Sequence, residues 1–350
     1  MRNVLIALLT FVFIVTTTLL VVSPKTTPEM PASAEAPIAE ILDVELNGAK
    51  QRILIRGHDL ANPVLLHVHG GPGGPDQAIL RSKNFDLEDL FTVVYWDQRG
   101  AGASYSADAS MNDLSLSQIV ADGLALSEYL LDRFDKNNLY LQGHSWGTLV
   151  ATHMATERPT LFAAYFGIGQ MADAKHSERL SYNYTVEQAT QAGNKEALDK
   201  LASLGPPPYP GREEWIRAVG IERTLMRHYE KPDGSIFMSM PDTYLTFTLY
   251  RGYSIPDKLN ALKGSEVSLG KLWMDAINAN LTTTHRRFDI PVYFFQGRYD
   301  QHTVTQVAKA YFDVIDAPQK EYFEFASSAH WPHVDEFERY RSIVKRLSEL

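Results

Sequence analysis

Gly143-His144-Ser145-Trp146-Gly147 is the stretch that decides the fold, because it matches the pattern G-x-S-x-G. In this pattern the serine occupies a strained turn between a strand and a helix, and the flanking glycines leave room for closely packed backbone. The residues on either side fit, since 138–142 is typical of a short strand and 146–156 of a helix. We therefore predict that Ser145 presents its hydroxyl above a sheet as a nucleophile.

Strand-like and helix-like runs alternate on both sides of this turn, which is typical of an α/β protein. The rhythm stops between 171 and about 287, where the sequence is helical, polar and aromatic, and then resumes. Strands are predicted at 41–46, 51–56, 63–69, 91–96, 138–142, 162–168, 291–296 and 321–325, with a crossover helix at 116–134 and a closing helix at 334–350. The sequence predicts a mostly parallel sheet with helices on both faces and an inserted helical cap.

The N-terminal residues differ in composition from the rest of the chain. Residues 4–22 are apolar except for a few threonines, and as a helix they are long enough to cross a bilayer. An uncleaved signal anchor is our expectation, and a cleaved signal peptide remains the alternative, because Ala32-Ser33-Ala34 resembles a cleavage site. Either reading predicts a membrane-anchored or secreted protein whose catalytic domain lies outside the cytoplasm.

These features divide the chain into five predicted parts. The parts are a signal anchor or signal peptide at 1–22, a flexible tether rich in Pro, Thr, Ala and Ser at 23–38, a first core segment at 39–170, the helical cap at 171–287 and a second core segment at 288–350.

Candidate partners for the serine lie in the second core segment. A serine hydroxyl needs an adjacent base, and the base needs a group that fixes its tautomer. Asp300 directly follows the predicted strand 291–296, and His330 follows the predicted strand 321–325. His333 is the nearest rival for the base, but it begins a predicted helix, and Asp300 could also be an ordinary turn residue. We predict a triad of Ser145, Asp300 and His330.

A glycine-rich loop supplies candidate donors for a developing oxyanion. His69-Gly70-Gly71-Pro72-Gly73-Gly74-Pro75 follows the third predicted strand, and its glycines allow backbone N–H groups to face a substrate. We predict an oxyanion hole formed by the N–H groups of Gly71 and Trp146. The run 97–102 also contains glycines, but it lacks the phosphate-binding pattern G-x-x-x-x-G-K-[ST], so we interpret it as a loop that supports the site.

Composition excludes several classes of function. A net charge of -9 argues against binding to nucleic acid, which requires a basic surface. The chain has no cysteine, and its histidines form no H-E-x-x-H motif, so no metal and no cofactor are predicted. The expected partners are a small-molecule or short peptide substrate, with a membrane reached through the N-terminal segment, and the oligomeric state is left open.

Together the motifs resemble the proline iminopeptidase branch of the α/β-hydrolases. The resemblance rests on HGGPGGP at 69–75, WDQRGAGAS at 96–104, GHSWGT at 143–148, and the GRYD and AH elements that contain Asp300 and His330. The order Ser, Asp, His along the chain is also that of α/β-hydrolases. The resemblance implies a helical cap after the sixth strand, with acidic cap residues that bind the free amino group of a peptide.

The resemblance implies cleavage of an amide or peptide bond through an acyl-enzyme, with a carboxylesterase as the alternative and a non-catalytic binding protein as a remote one. The tryptophan-rich cap element that usually carries an acidic residue in this branch is not recognisable. No cap glutamate is assigned; the candidates are Glu178, Glu187, Glu213, Glu214 and Glu222. Five cap aromatic residues could line the pocket or form the core of the cap: Trp215, Tyr244, Phe247, Tyr250 and Trp273.

Overall fold

The structure is a computed structural model that describes residues 6, 10, 12–17, 26–82, 87–108, 112–231 and 240–349. It contains one eight-stranded sheet with the strand order β1-β2-β4-β3-β5-β6-β7-β8. The strands are β1 (Ile38–Leu46), β2 (Ala49–Gly57), β3 (Val64–Val68), β4 (Thr92–Trp96), β5 (Leu139–His144), β6 (Phe162–Ile168), β7 (Val292–Gly297) and β8 (Lys320–Phe325).

The direction of the strands changes across the sheet. β1 pairs antiparallel with β2, and β2 pairs antiparallel with β4, whereas the strands from β4 to β8 pair in parallel. The hairpin at one edge turns at Asn47-Gly48, where both residues have positive φ. The predicted mostly parallel α/β-hydrolase sheet is confirmed.

Twelve α-helices are described. They are α1 (Gln77–Ser82), α2 (Leu116–Phe134), α3 (Trp146–Glu157), α4 (Ala174–Gln191), α5 (Lys195–Leu204), α6 (Arg212–Met226), α7 (Met240–Leu249), α8 (Ile255–Asn278), α9 (Leu281–Thr284), α10 (Thr305–Val314), α11 (Pro332–Asp335) and α12 (Phe337–Ser348). Helices α4 to α9 lie between β6 and β7 in the chain, and we refer to them as the cap.

Two apolar layers cover the sheet. Leu66 and Val94 belong to one layer, whereas Leu65 and Val93, their neighbours on the same strands, belong to the other. Because successive side chains of a strand point to opposite faces, this division places a packed core on each side of the sheet. Because β3 to β8 run parallel to one another, their carboxyl ends meet at one edge of the sheet, where the loops carry the candidate site.

Several strand boundaries differ from the sequence predictions by one to three residues, and two differences lie near the candidate site. β5 continues to His144, past the predicted end at Gln142, because Gly143 and His144 still pair with β6. The closing helix predicted at 334–350 is wrong at its start: the chain forms α11, leaves helical geometry at Glu336 and then forms α12. The side chain of Glu336 accepts hydrogen bonds from Ser327 and Ser328, which stabilises this break.

The N-terminal apolar segment predicted at 1–22 lies mostly outside the described residues, as do residues 23–25 of the predicted tether. Within the part of the chain that the structure describes, no helix combines the length and the apolar character needed to span a membrane.

Candidate active site

Ser145 lies at the turn between β5 and α3. Its backbone has φ 54° and ψ −122°, a conformation that costs energy for a residue with a side chain. The Ser145 N–H donates to the carbonyl oxygen of Ile168 at 2.9 Å, which ties the turn to the end of β6. A Cβ on Gly147 would lie 2.0 Å from the carbonyl oxygen of Val68, so only glycine fits there. The strained turn that the motif predicts is present.

Asp300 and His330 are in contact after β7 and β8. His330 Nδ1 lies 2.9 Å from Asp300 Oδ2. Asp300 is fully buried and also accepts hydrogen bonds from the backbone N–H groups of His302 and Thr303, at 2.8 and 2.9 Å. Burial by itself would raise the pKa of Asp300, but the adjacent His330 and the hydrogen bonds from Thr303 outweigh it and lower that pKa. The carboxylate is therefore ionised and can hold His330 in one tautomer and one orientation.

His333 is separate from this pair. It is buried in α11, and its ring lies against the rings of His144 and Trp331, with centroid distances of 4.9 and 5.5 Å. Within the described chain neither of its ring nitrogens has a hydrogen-bond partner. Burial holds the pKa of His333 well below its ordinary value. The structure therefore brings His330, and not His333, to the buried carboxylate.

A glycine makes room for the His330 ring. Gly169, at the end of β6, has φ 56°, and a Cβ there would lie 3.1 Å from the ring of His330. Gly169 directly follows Ile168, whose carbonyl holds the Ser145 turn. The end of β6 therefore places the His330 ring next to the turn that carries Ser145.

His302 was missed by the sequence reasoning. Its ring stacks on that of His330, with centroids 4.5 Å apart and planes at 20°. Burial and the neighbouring His330 keep the pKa of His302 well below its ordinary value, so the ring is neutral. Its position two residues after Asp300 was the available signal, because the short loop after β7 keeps both residues close to the sheet edge.

Asp76 and His144 form a second buried pair that the sequence reasoning also missed. His144 Nε2 lies 3.0 Å from the backbone carbonyl oxygen of His330. On the other side of the ring, His144 Nδ1 lies 3.7 Å from Asp76 Oδ2. The second carboxylate oxygen of Asp76 lies 2.9 Å from Nε2 of His67. A carbonyl only accepts hydrogen bonds, so His144 must carry a proton on Nε2.

The glycine-rich loop lies beside Ser145, as predicted. A Cβ on Gly70 would lie 3.2 Å from the Cβ of Ser145, so the loop passes directly over the turn. Gly71, with φ 126°, lines the same cavity as Ser145 and Trp146. Trp146 begins α3, where backbone N–H groups have no partner within the helix. The two predicted oxyanion donors are therefore close to the serine.

Gln98 connects these two donor segments. Its side-chain amide donates to the carbonyl oxygen of His69 at 2.9 Å and accepts from the indole N–H of Trp146 at 3.0 Å. Gln98 is buried, so both hydrogen bonds are protected from water. This arrangement agrees with the predicted supporting role of the 97–102 loop.

Comparison of the sequence with known proteins shows the family to which the chain belongs. The family described as "alpha/beta hydrolase fold" matches residues 63–220. The chain is 31% identical over 313 residues to a protein of Bacillus subtilis (strain 168) named "Probable aminopeptidase YbaC", covering 88% of this chain and 96% of the relative. This chain belongs to the α/β-hydrolase family.

Solved structures agree with the fold. A proline iminopeptidase-related protein of Thermus thermophilus has a TM-score of 0.60 with 19% identity and covers 88% of the hydrolase and 96% of its own chain. A proline iminopeptidase of Mycobacterium smegmatis has a TM-score of 0.63 with 17% identity and covers 89% and 98% of the two chains. At these identities the two structures establish the fold alone. The resemblance to the proline iminopeptidase branch is confirmed by the relative from Bacillus subtilis together with a "Proline iminopeptidase" of Heyndrickxia coagulans, which is 22% identical over 289 residues and covers 81% of this chain and 88% of the relative.

The cavity of the hydrolase lies between the Ser145 turn and the cap. It has a volume of about 240 Å³. Most of its wall is apolar, with side chains from α4, α6, α8 and α10. The apolar residues in the wall include Met171, Val219, Trp273, Ile277 and Val307. Such a cavity suits a small substrate with an apolar side chain.

One of the five candidate glutamates lines this cavity. Glu178 on α4 forms an ion pair with Arg223 on α6, and both residues line the wall. Burial raises the pKa of Glu178 to about 7, although Arg223 opposes this effect. Glu222 is buried behind them, where it accepts hydrogen bonds from Ser181 and Thr185 at 2.8 and 3.0 Å. Glu187, Glu213 and Glu214 are exposed on the surface of the cap.

Glu230 is an acidic residue that the sequence reasoning missed. Its Oε1 lies 3.8 Å from Nε2 of His302, the ring that stacks on His330. Within the described chain this oxygen is buried and has no hydrogen-bond partner. Burial, with a further contribution from Asp300, raises the pKa of Glu230 to about 7. A carboxyl oxygen without a hydrogen-bond donor among the described residues therefore lies close to the candidate triad.

The cap aromatic residues divide between several roles. Trp215 is buried in a small apolar cluster of the cap, and Trp273 lines the cavity. The hydroxyl of Tyr250 donates to the side-chain oxygen of Gln77 at 2.9 Å, whereas Tyr244 is exposed.

The part of the chain that the structure describes contains no group of three or more potential ligand residues arranged to hold a metal ion.

Proposed function

We propose that the hydrolase cleaves an amide or peptide bond of a small substrate that has a free amino terminus, through an acyl-enzyme on Ser145. The observation that carries the proposal is the arrangement at the cavity wall, where the strained Ser145 turn, Gly71 and Trp146 meet. The contact between His330 and a buried, ionised Asp300 supports the same reaction.

In the proposed reaction, Ser145 Oγ attacks the substrate carbonyl carbon while Nε2 of His330 accepts the hydroxyl proton. The N–H groups of Gly71 and Trp146 stabilise the negative charge on the carbonyl oxygen. The C–N bond then breaks, and His330 returns the proton to the leaving amine. Water attacks the acyl-enzyme in the same manner, with His330 as base, and releases the carboxylic acid and the free serine.

The acidic residues beside the cavity support recognition of an ammonium group. Glu178, Glu222 and Glu230 all lie near the cation Arg223 and raise its pKa, so three carboxyl groups surround this arginine. Burying an ammonium group without a carboxylate partner would reduce the binding free energy by roughly several kcal/mol. A cationic substrate would in turn favour the ionised form of Glu230, whose Oε1 has no donor among the described residues.

The alternative function is a carboxylesterase that uses the same triad. The apolar cavity wall favours it, and so does the ion pair between Glu178 and Arg223, because a carboxylate already paired attracts a cation less strongly. An esterase would be indifferent to the amino group and would bind an apolar acyl chain against Trp273.

A single comparison distinguishes these functions. Prolyl and alanyl amides are assayed with a free and with an acetylated amino group, and an acyl ester is assayed alongside. If the hydrolase is an aminopeptidase, acetylation of the substrate should remove activity, and Glu230→Gln should raise KM for the free amides. Glu213→Gln, an exposed matched control, should leave KM unchanged. Equal cleavage of free and acetylated amides would overturn the proposed aminopeptidase function and leave the carboxylesterase as the remaining function.

We also propose that residues 4–22 attach the hydrolase to a membrane, with its catalytic domain outside the cytoplasm. The apolar length of this segment supports the proposal. Mass spectrometry of the mature protein tests it: an intact N-terminal segment is expected, and a mature chain starting near Glu35 would contradict attachment.

A further inference from the structure

Large apolar side chains that are exposed cluster in two places. Among the described residues, ten of the twelve such side chains lie either in the N-terminal segment or on two successive cap helices, α7 and α8. On α8 these are Leu259 and Leu262, and on α7 they are Tyr244, Leu245 and Leu249, which are 57%, 57% and 49% exposed. We refer to the three residues on α7, which lie within two turns of one helix, as the cap patch. Single exposed leucines are normal on a protein surface, but a cluster of this kind indicates a binding surface.

The described end of the tether contacts the cap beside this patch. The N–H of Thr26 donates to the backbone carbonyl oxygen of Arg251, just after α7, at 2.9 Å. Arg56 on β2 donates to the hydroxyl of Thr27 at 2.6 Å and fixes the next residue to the core. Residues Thr26 to Pro28 form one side of a groove whose other side includes Leu245 and Leu249.

The length of the tether limits the distance between a membrane and the patch. The apolar segment ends at Val22, four residues before Thr26, and four residues span at most about 14 Å. A bilayer that takes up residues 4–22 would therefore lie within about that distance of Thr26. Leu245 and Leu249 line the same groove as Thr26, so the cap patch is within reach of this bilayer.

The N-terminal segment itself is the alternative group that could cover the cap patch. The described residues of the N-terminal segment are themselves exposed, for example Phe13 at 71% and Ile14 at 56%, so they do not pack on the cap. The sequence of α7, MPDTYLTFTL, carries one charged residue, Asp242, in its first turn. A short apolar helix with a tyrosine on its exposed face is suited to the interface between lipid headgroups and acyl chains.

We infer that the cap patch on α7 docks on the lipid bilayer that receives the N-terminal segment, so that the hydrolase contacts the membrane at two points. The inference rests on the proposed membrane attachment and adds a lipid-binding surface to the cap. Docking would bury the exposed faces of Leu245 and Leu249 at the depth of the upper acyl chains and hold the cap at the membrane surface.

The absence of cysteine makes a direct test possible. Full-length protein carrying Leu245→Cys or Leu249→Cys is labelled with a polarity-sensitive fluorophore and added to phosphatidylcholine vesicles. Leu60→Cys and Val314→Cys are matched controls, because both side chains are apolar, exposed (42% and 45%) and outside the cap. Flotation of the vesicles measures attachment, and quenching by bromine atoms on the lipid acyl chains measures docking.

The expected result is flotation of all four proteins, with quenching at positions 245 and 249 at least threefold stronger than at 60 and 314. Flotation with equal quenching at all four positions would overturn the docking surface and leave the attachment standing. Failure to float would overturn both. Strong protection of positions 245 and 249 from aqueous iodide before vesicles are added would show that residues 4–22 or a second copy cover the patch, which also overturns the inference.

Discussion

The ring of His144 contacts the backbone of His330: Nε2 of His144 lies 3.0 Å from the carbonyl oxygen of His330. His144 directly precedes Ser145, so this hydrogen bond connects the serine turn to the loop of the proposed base. Asp76, on the far side of the His144 ring, follows the glycine-rich loop. Three segments of the site are thus linked through one buried imidazole.

This contact predicts a positioning role for His144. His144→Leu removes the donor to the carbonyl of His330, and a displacement of about 1 Å of a reacting group can cost roughly 100-fold in rate. We expect kcat to fall by about 10- to 100-fold with little change in KM. His144→Gln, which keeps an N–H donor, should recover most of the rate.

Steady-state kinetics normalised by active-site titration, together with the melting temperature, separate this role from a general loss of folding. His333→Gln is the matched control, because His333 contacts the His144 ring without bonding to the His330 backbone. An equal loss of kcat in His144→Gln and His144→Leu, or in the control, would contradict the positioning role.

Ser145→Ala should remove nearly all turnover, by roughly 10⁴-fold or more, while the protein stays folded. The serine hydroxyl contributes little packing, and its removal leaves the backbone hydrogen bond to Ile168 in place. Labelling by a fluorophosphonate probe should also disappear, with the circular dichroism spectrum unchanged. Labelling of another serine in the variant would show that Ser145 is not the nucleophile.

The two neighbouring histidines should differ strongly on substitution. His330→Ala removes the partner of the buried Asp300, so we expect a loss of turnover comparable to that of Ser145→Ala. His333→Ala removes a ring without hydrogen bonds among the described residues, so its main effect should be a lower melting temperature, with kcat reduced by less than about 10-fold. The reverse ranking would assign the base to His333.

Glu230 should make the free energy of unfolding depend on pH. Its pKa is about 7 in the folded state, above the ordinary 4.5, so folding favours the neutral form. The stability from this shift is fully present below about pH 4.5 and is lost as the pH rises through 7. Glu230→Gln stays neutral, so it should be more stable than the wild type above pH 7 by on the order of 1 to 3 kcal/mol.

Urea denaturation at pH 5, 6, 7 and 8 measures this difference. Glu178 and Asp97 also have raised pKa values, of about 7 and 6, so the wild type loses stability from several groups and only the difference between variant and wild type is informative. The exposed Glu213→Gln serves as a control. A Glu230→Gln curve parallel to the wild type would show that Glu230 is not a buried acid.

Much of the fold could be predicted from the sequence because its signals are local. The strand and helix positions follow from hydrophobic periodicity, which depends on neighbouring residues, and α2 and β6 were predicted at their observed bounds. The Ser145 turn was predictable because glycine is the only residue that fits beside the crossing backbone at Gly147. The closing helix was mistaken because Glu336 bonds to a loop nine residues earlier in the chain.

The sequence by itself determined the α/β-hydrolase sheet and the candidate residues Ser145, Asp300 and His330, because motif and strand order depend on residues close together in the chain. Only the tertiary structure decided which histidine meets Asp300, and that Glu178 is paired with Arg223 while Glu230 lies beside His302. Contacts of this kind join residues that are far apart in the chain. They depend on how the cap packs over the sheet, and no local pattern in the sequence records that packing.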